Sequence, residues 1–120
     1  MEREIEKILN KLINNEKILP GNITVLSGKS KENSSLLSKD FIGKYKVEKS
    51  NKLEVNQNII CDNIYSFKGL ENDIVILTEL DDENVSKQLL YVGVTRAKFY
   101  LIVLEKSELF YGFRIDPFRV

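Results

Sequence analysis

Two short blocks in the second half of the chain carry side chains that can hold a phosphorylated ligand. The first is Ile64-Tyr-Ser-Phe-Lys-Gly-Leu-Glu71. In it, Ser66 can donate to a phosphate oxygen and Lys68 adds a point charge. Gly69 lets backbone approach a ligand closely, and Glu71 can accept hydrogen bonds from ribose hydroxyls. The second is Leu89-Leu-Tyr-Val-Gly-Val-Thr-Arg-Ala-Lys98, an apolar helical pattern that ends in Thr95 and Arg96 just before a strand. A guanidinium leaving a helix at a sheet edge is well placed to meet an anion. Its planar fork matches phosphate and it keeps its proton. The plainer alternatives are a turn lysine beside a buried Tyr65, and a surface ion pair of Arg96 with Glu71, Glu79 or Asp81.

A third block invites a wrong reading. Gly28-Lys-Ser30 follows a strand and resembles the end of a phosphate-binding loop. The full pattern needs a glycine five residues before the Gly-Lys pair, and that position is Ile23, inside the strand. Without it the backbone cannot wrap a phosphate with successive N–H groups. A solvated turn is the better reading, with a modest phosphate contact left open to Lys29 or Lys31.

Composition removes several chemistries. The 120 residues fit one domain, with 42% hydrophobic side chains for a core. Charged residues make up 30% and balance to a formal charge of +0, which argues against a strongly basic nucleic-acid binder. The chain has no histidine, so Ser-His and Cys-His pairs and the commonest zinc ligand are excluded. Cys61 is its single cysteine, in an apolar run, and reads as a buried small hydrophobe rather than a reactive thiol. No apolar run is long enough to span a membrane, and the amino-terminal residues lack a secretory pattern. A cytoplasmic address is the expectation.

These blocks need elements to position them. Ile5, Ile8, Leu9, Leu12 and Ile13 recur at helical spacing and predict an amphipathic helix over residues 2 to 15. Pro20-Gly-Asn22 reads as a turn. Strands are expected at Ile23–Leu26, Lys44–Glu48, around Ile59-Ile60, at Asp73–Thr78 and at Phe99–Leu104. The β-branched run from Asp73 shows no alternation, which predicts burial on both faces, as in parallel sheets. Helices are expected over 34 to 42, ended by Gly43, and over 85 to 98. The tail from Glu105 reads as aromatic and irregular. Strands alternating with helices predict an α/β fold, an open and mostly parallel sheet flanked by helices. Such sheets bind ligands at the carboxyl ends of their strands, here after Leu26, Asp62 and Leu77.

With these elements in place, the first block resembles motif V of the superfamily 1 helicases of the UvrD/Rep/PcrA type. That motif is written Thr-x-His-x-x-Lys-Gly-Leu-Glu before an apolar strand. The second resembles their motif VI, Tyr-Val-Ala-x-Thr-Arg-Ala, with Gly93 in place of alanine. The resemblance implies a RecA-like second motor lobe over 1–120, without a P-loop, whose motif-bearing core spans 59–104. It implies nucleotide contacts from Lys68, Gly69, Glu71 and Arg96, with Arg96 acting as an arginine finger in phosphoryl transfer. It implies single-strand contacts from Asn63, Tyr65 and Ser66, where Asn63 and Tyr65 replace the usual Thr and His, and support from Tyr91 and Thr95. Glu71 and Arg96 should share one rim.

The arginine that follows the first strand in the family's motif IV is absent; Gly28, Lys29 and Lys31 occupy its neighbourhood. The P-loop lysine and the acidic pair that hold Mg-nucleotide on the first lobe are also missing. Asp81-Asp-Glu83 reads as a solvated loop or a helix-end charge cluster. The chain therefore carries half an active site. It is expected to need ATP and Mg2+ bound by an amino-terminal helicase lobe, to act on single-stranded DNA in a DNA-repair setting, and to hydrolyse ATP alone at background rate. The alternative is a stand-alone module without chemistry that holds a single strand or a protein partner. An unrelated α/β enzyme using Asp81, Asp82 or Glu83 has no nucleophile or base to support it.

Overall fold

The computed structural model describes residues 2–29, 34–49, 57–63, 72–79, 97–104 and 110–114. The amino-terminal helix α1 spans Glu2–Asn10 and runs into a π-helical turn at Lys11–Asn15. The turn closes wide: Glu16 N–H donates to the Lys11 carbonyl and Ile18 N–H to the Leu12 carbonyl, across Lys17 at φ 61°. A 3-10 turn, Pro20–Asn22, leads into β1 at Ile23–Ser27. The further strands are β2 (Phe41–Ile42), β3 (Tyr45–Glu48), β4 (Ile59–Asn63), β5 (Asn72–Thr78), β6 (Ala97–Leu104) and β7 (Phe110–Arg114).

These strands form one mixed sheet in the order β2-β3-β4-β1-β5-β6-β7. The pairs β3–β4, β4–β1, β1–β5 and β5–β6 are parallel. The outer pairs β2–β3 and β6–β7 are antiparallel. Six strands form the body of the sheet and the two-residue β2 extends one edge. This architecture is compatible with the expected α/β class.

Register turns the strand sequences into layers. On one face Ile59, Ile23 and Ile74 align across β4, β1 and β5, and Tyr100 continues the row on β6. The next row is Cys61, Val25, Ile76 and Ile102. Ile5, Leu9 and Leu12 of α1 and its π turn pack on this face, together with Leu36 and Leu37. Each fully buried aliphatic side chain of this kind contributes about 1.5–3 kcal/mol. The opposite face is also buried, through Leu26, Ile60, Val75, Leu77, Leu101 and Val103. The β-branched run of β5 thus has core on both sides, as its pattern predicts.

Three expectations are corrected. No helix forms over 34 to 42: a single turn closes by Lys39 N–H onto the Leu36 carbonyl, and the chain enters β2. The reason is competition. Ser34 and Ser35 direct their donors to Glu79, and Val47 N–H takes the Asp40 carbonyl. Gly43 therefore ends no helix. It turns the β2–β3 hairpin at φ +59°, as the first of two central residues, where a II′ turn takes glycine. The helix expected over 85 to 98 does not include Ala97 and Lys98, which open β6; residues 80–96 lie outside the described residues. The tail is not wholly irregular, because Phe110–Arg114 pairs with β6.

Candidate functional site at the carboxyl edge of the sheet

After β1 the chain turns toward β3 and β4, whereas β5 is followed by β6 on the other side. The strand order therefore reverses at β1 and β5. Open parallel sheets bind ligands in the crevice outside such a reversal, at the carboxyl ends of the strands. Here that edge changes character abruptly. Beyond the two apolar rows comes Asn63–Ser27–Thr78, aligned across β4, β1 and β5. All three side chains are buried. Gly28 N–H donates to the Thr78 carbonyl at 3.0 Å and ties the ends of β1 and β5 together.

Glu79, the residue after β5, is the centre of this edge. It sits at φ 58°, a left-handed conformation that costs a non-glycine residue about 1–2 kcal/mol. That backbone turn brings its carboxylate back over β1. Ser27 Oγ donates to Glu79 Oε1 at 2.6 Å, and Ser34 Oγ donates to the same oxygen. Ser35 donates to Oε2 twice, from its N–H at 3.0 Å and its hydroxyl at 3.2 Å. Burial alone pushes the Glu79 pKa up, but the hydrogen bonds from Ser27, Ser34 and Ser35 outweigh it and hold the carboxyl below its ordinary range.

The hydroxyls have little choice of direction. Ser27 Oγ accepts from Lys29 N–H at 3.0 Å. Ser34 Oγ accepts from the N–H groups of Leu36 and Leu37 at 3.1 and 3.2 Å. With backbone donors on their oxygens, both serines present their protons to the carboxylate. The result is a set of four donors converging on one anionic group, in the loop that follows β1.

Of the residues expected to form the site, only Asn63 is described. It ends β4, is 8% exposed, and donates its N–H to Asp62 Oδ1 at 2.8 Å. Tyr65, Ser66, Lys68, Gly69, Glu71, Tyr91, Thr95 and Arg96 lie outside the described residues, as do Lys31 and the Asp81–Glu83 cluster. The ion pair of Glu79 with Arg96, named among the plainer alternatives, competes with the serines that already hold both carboxylate oxygens. Sequence reading named Glu79 only as an ion-pair partner for Arg96 and did not single out Ser27, Ser34 or Ser35. The only available signal was a lone carboxylate immediately after the most apolar strand.

Cys61 lies one layer beneath the polar row, 2% exposed, and burial pushes its thiol up to about 11. It is a core side chain, as its surroundings in sequence predict. A groove of about 610 Å3 opens at the other end of the sheet, between the π turn and the amino ends of β5 and β6, lined among others by Ile18, Leu19, Asp73 and Phe99. It is remote from the carboxyl edge. Among the described residues no helix is long and apolar enough to cross a membrane, and no three His, Cys, Asp or Glu side chains gather as a metal site.

The described edge is thus the carboxyl end of the parallel strands, the end at which open sheets of this kind bind ligands. Residues 58–104 match the family model of the UvrD-like helicase C-terminal domain. The match begins at the residue before β4, ends with the last residue of β6, and covers under half of the chain. It includes both blocks from which the helicase resemblance was read and points to a helicase-related role. No curated protein matches the chain.

Proposed function

We propose that this chain is the carboxyl-terminal motor lobe of an ATP-dependent DNA helicase or translocase. It completes a composite ATPase site whose P-loop side is supplied by an amino-terminal lobe. The observation that carries this reading is the family match over 58–104, together with a parallel sheet whose order reverses at β1 and β5. In this reading Glu71 accepts from the ribose, Lys68 and Gly69 approach the nucleotide, and Arg96 reaches the terminal phosphate. Asn63, Tyr65 and Ser66 touch the single strand, and Tyr91 and Thr95 steady the arginine. ATP and Mg2+ are bound chiefly by the other lobe, and closure around them changes the grip on DNA.

The mechanism asks little covalent chemistry of this lobe. Phosphoryl transfer is promoted by positioning and by charge stabilisation from both sides of the cleft. An arginine finger contributes about 10³–10⁵ in kcat. In the two-lobe protein, Arg96→Ala should therefore lower DNA-stimulated ATP turnover by at least about 10³-fold, with much less effect on nucleotide affinity. Arg96→Lys should not restore turnover, because an ammonium lacks the planar fork. Turnover unchanged in Arg96→Ala would remove this residue, and with it the motor reading, from consideration.

A further inference from the structure

We infer that Ser27, Ser34 and Ser35 form an oxyanion-binding nest for a phosphate group, and that Glu79 is an internal plug which a phosphate must displace. The inference rests on the reading of the carboxyl edge as the nucleotide-facing edge of a motor lobe, and it adds a regulated phosphate contact to that edge.

Five observations support it. The donors are preset: backbone N–H groups of Lys29, Leu36 and Leu37 occupy the serine oxygens and leave the hydroxyl protons aimed at an anion. The nest holds both oxygens of one carboxylate, a geometry that two oxygens of a phosphate also satisfy. The plug is held at a backbone cost, because Glu79 occupies the left-handed region without being glycine. A rotation of residue 79 out of the left-handed region would relieve that strain, and in the proposal this is the movement that withdraws the carboxylate. The nest is also reachable. Ser27, Ser34 and Glu79 are buried, but Ser35, which grips the second oxygen, is exposed and gives the nest its one open side among the described residues. Beside Ser27, the buried Thr78 hydroxyl has no hydrogen-bond partner among the described residues. Two charges cannot share the nest, so phosphate and Glu79 exclude one another.

The test uses the chain itself with inorganic phosphate as probe, and so needs no second lobe. Amide shifts of Ser35 and Leu36 are followed in wild type, Glu79→Ala and Glu79→Gly at constant ionic strength. Both variants should bind phosphate at least ten-fold more tightly than wild type, with saturable shifts confined to the loop after β1. Repeating the titration with ATP and with a thymidine oligonucleotide separates the two sources of phosphate: the one that shifts the same amides identifies the natural ligand. Folded variants that bind phosphate no better than wild type overturn the proposal. So does failure of both variants to fold, because a carboxylate the fold requires cannot be displaced. Phosphate binding with unchanged turnover in Arg96→Ala would leave the nest standing while the motor reading fell.

Discussion

Removal of the Glu79 carboxylate is the perturbation whose size follows most directly from the structure. Four hydrogen bonds converge on it from Ser27, Ser34 and Ser35. A hydrogen bond to a charged group is worth about 1.5–3 kcal/mol, and bonds that share one acceptor do not add. Glu79→Ala also leaves two buried hydroxyls aimed at nothing. We expect a loss of about 3–4 kcal/mol at pH 7, a large part of the stability of a small domain. Glu79→Gly loses the same bonds but relieves the left-handed backbone, so it should be the more stable of the two by roughly 1 kcal/mol. The pH dependence has a definite sign. The folded carboxyl titrates below the ordinary glutamate value of about 4.3. Its contribution is therefore complete above that value and is lost as the pH falls through the lower, folded value. Urea unfolding followed by circular dichroism suits a chain without tryptophan, and m should stay constant across the variants. A Glu79→Ala variant within about 0.5 kcal/mol of wild type, or one more stable than Glu79→Gly, would refute this account of the edge.

Other regions give sharper local tests. Gly43→Ala should destabilise by about 1–3 kcal/mol, because its Cβ would meet the Glu6 carboxylate and its φ is +59°. In a Glu6→Ala background the steric part vanishes and only the backbone part remains; additive losses in a double-mutant cycle would show that the collision does not occur. Cys61, buried and raised to about 11, should resist a thiol reagent at pH 8 in the native protein and react fully once unfolded in urea. Fast native labelling would place it outside the core.

Much of the sheet was legible because parallel strands buried on both faces advertise themselves. Ile74–Leu77 has no alternation, and its neighbours on β1 and β6 repeat the pattern. The amino-terminal helix was legible from the spacing of Ile5, Leu9 and Leu12. The segment over 34 to 42 misled for a reason that no local pattern contains. Its helical apolar spacing is real, and Leu36 and Leu37 do enter the core. The hydroxyls able to cap a helix instead serve a carboxylate more than forty residues away in sequence. The antiparallel β7 was missed because edge pairing leaves only a weak mark in an aromatic segment. The motif residues were read from family resemblance alone, and apart from Asn63 they lie outside the described residues. The Glu79 clasp, a tertiary arrangement, was not legible in the sequence.

The polar row and the clasp together explain why this edge, rather than the groove at the amino ends of β5 and β6, is suited to chemistry. Alternate rows across β4, β1 and β5 run Ile–Ile–Ile, then Cys–Val–Ile, then Asn–Ser–Thr. Apolar rows fix the strand ends rigidly, and a rigid end is what lets hydroxyl donors hold their direction without reorganisation. The groove beside Leu19 and Phe99 is lined mainly by apolar side chains at the amino ends of β5 and β6. Its polar lining mixes Lys11, Lys17 and Asn22 with the carboxylates of Glu16 and Asp73, which oppose an anion. Catalysis by positioning needs the reverse: few groups, tightly oriented, facing a place where charge can be received. Ser27, Ser34 and Ser35 already perform that task on a carboxylate. The same preset donors that stabilise Glu79 are therefore the strongest reason to look for phosphate at this edge.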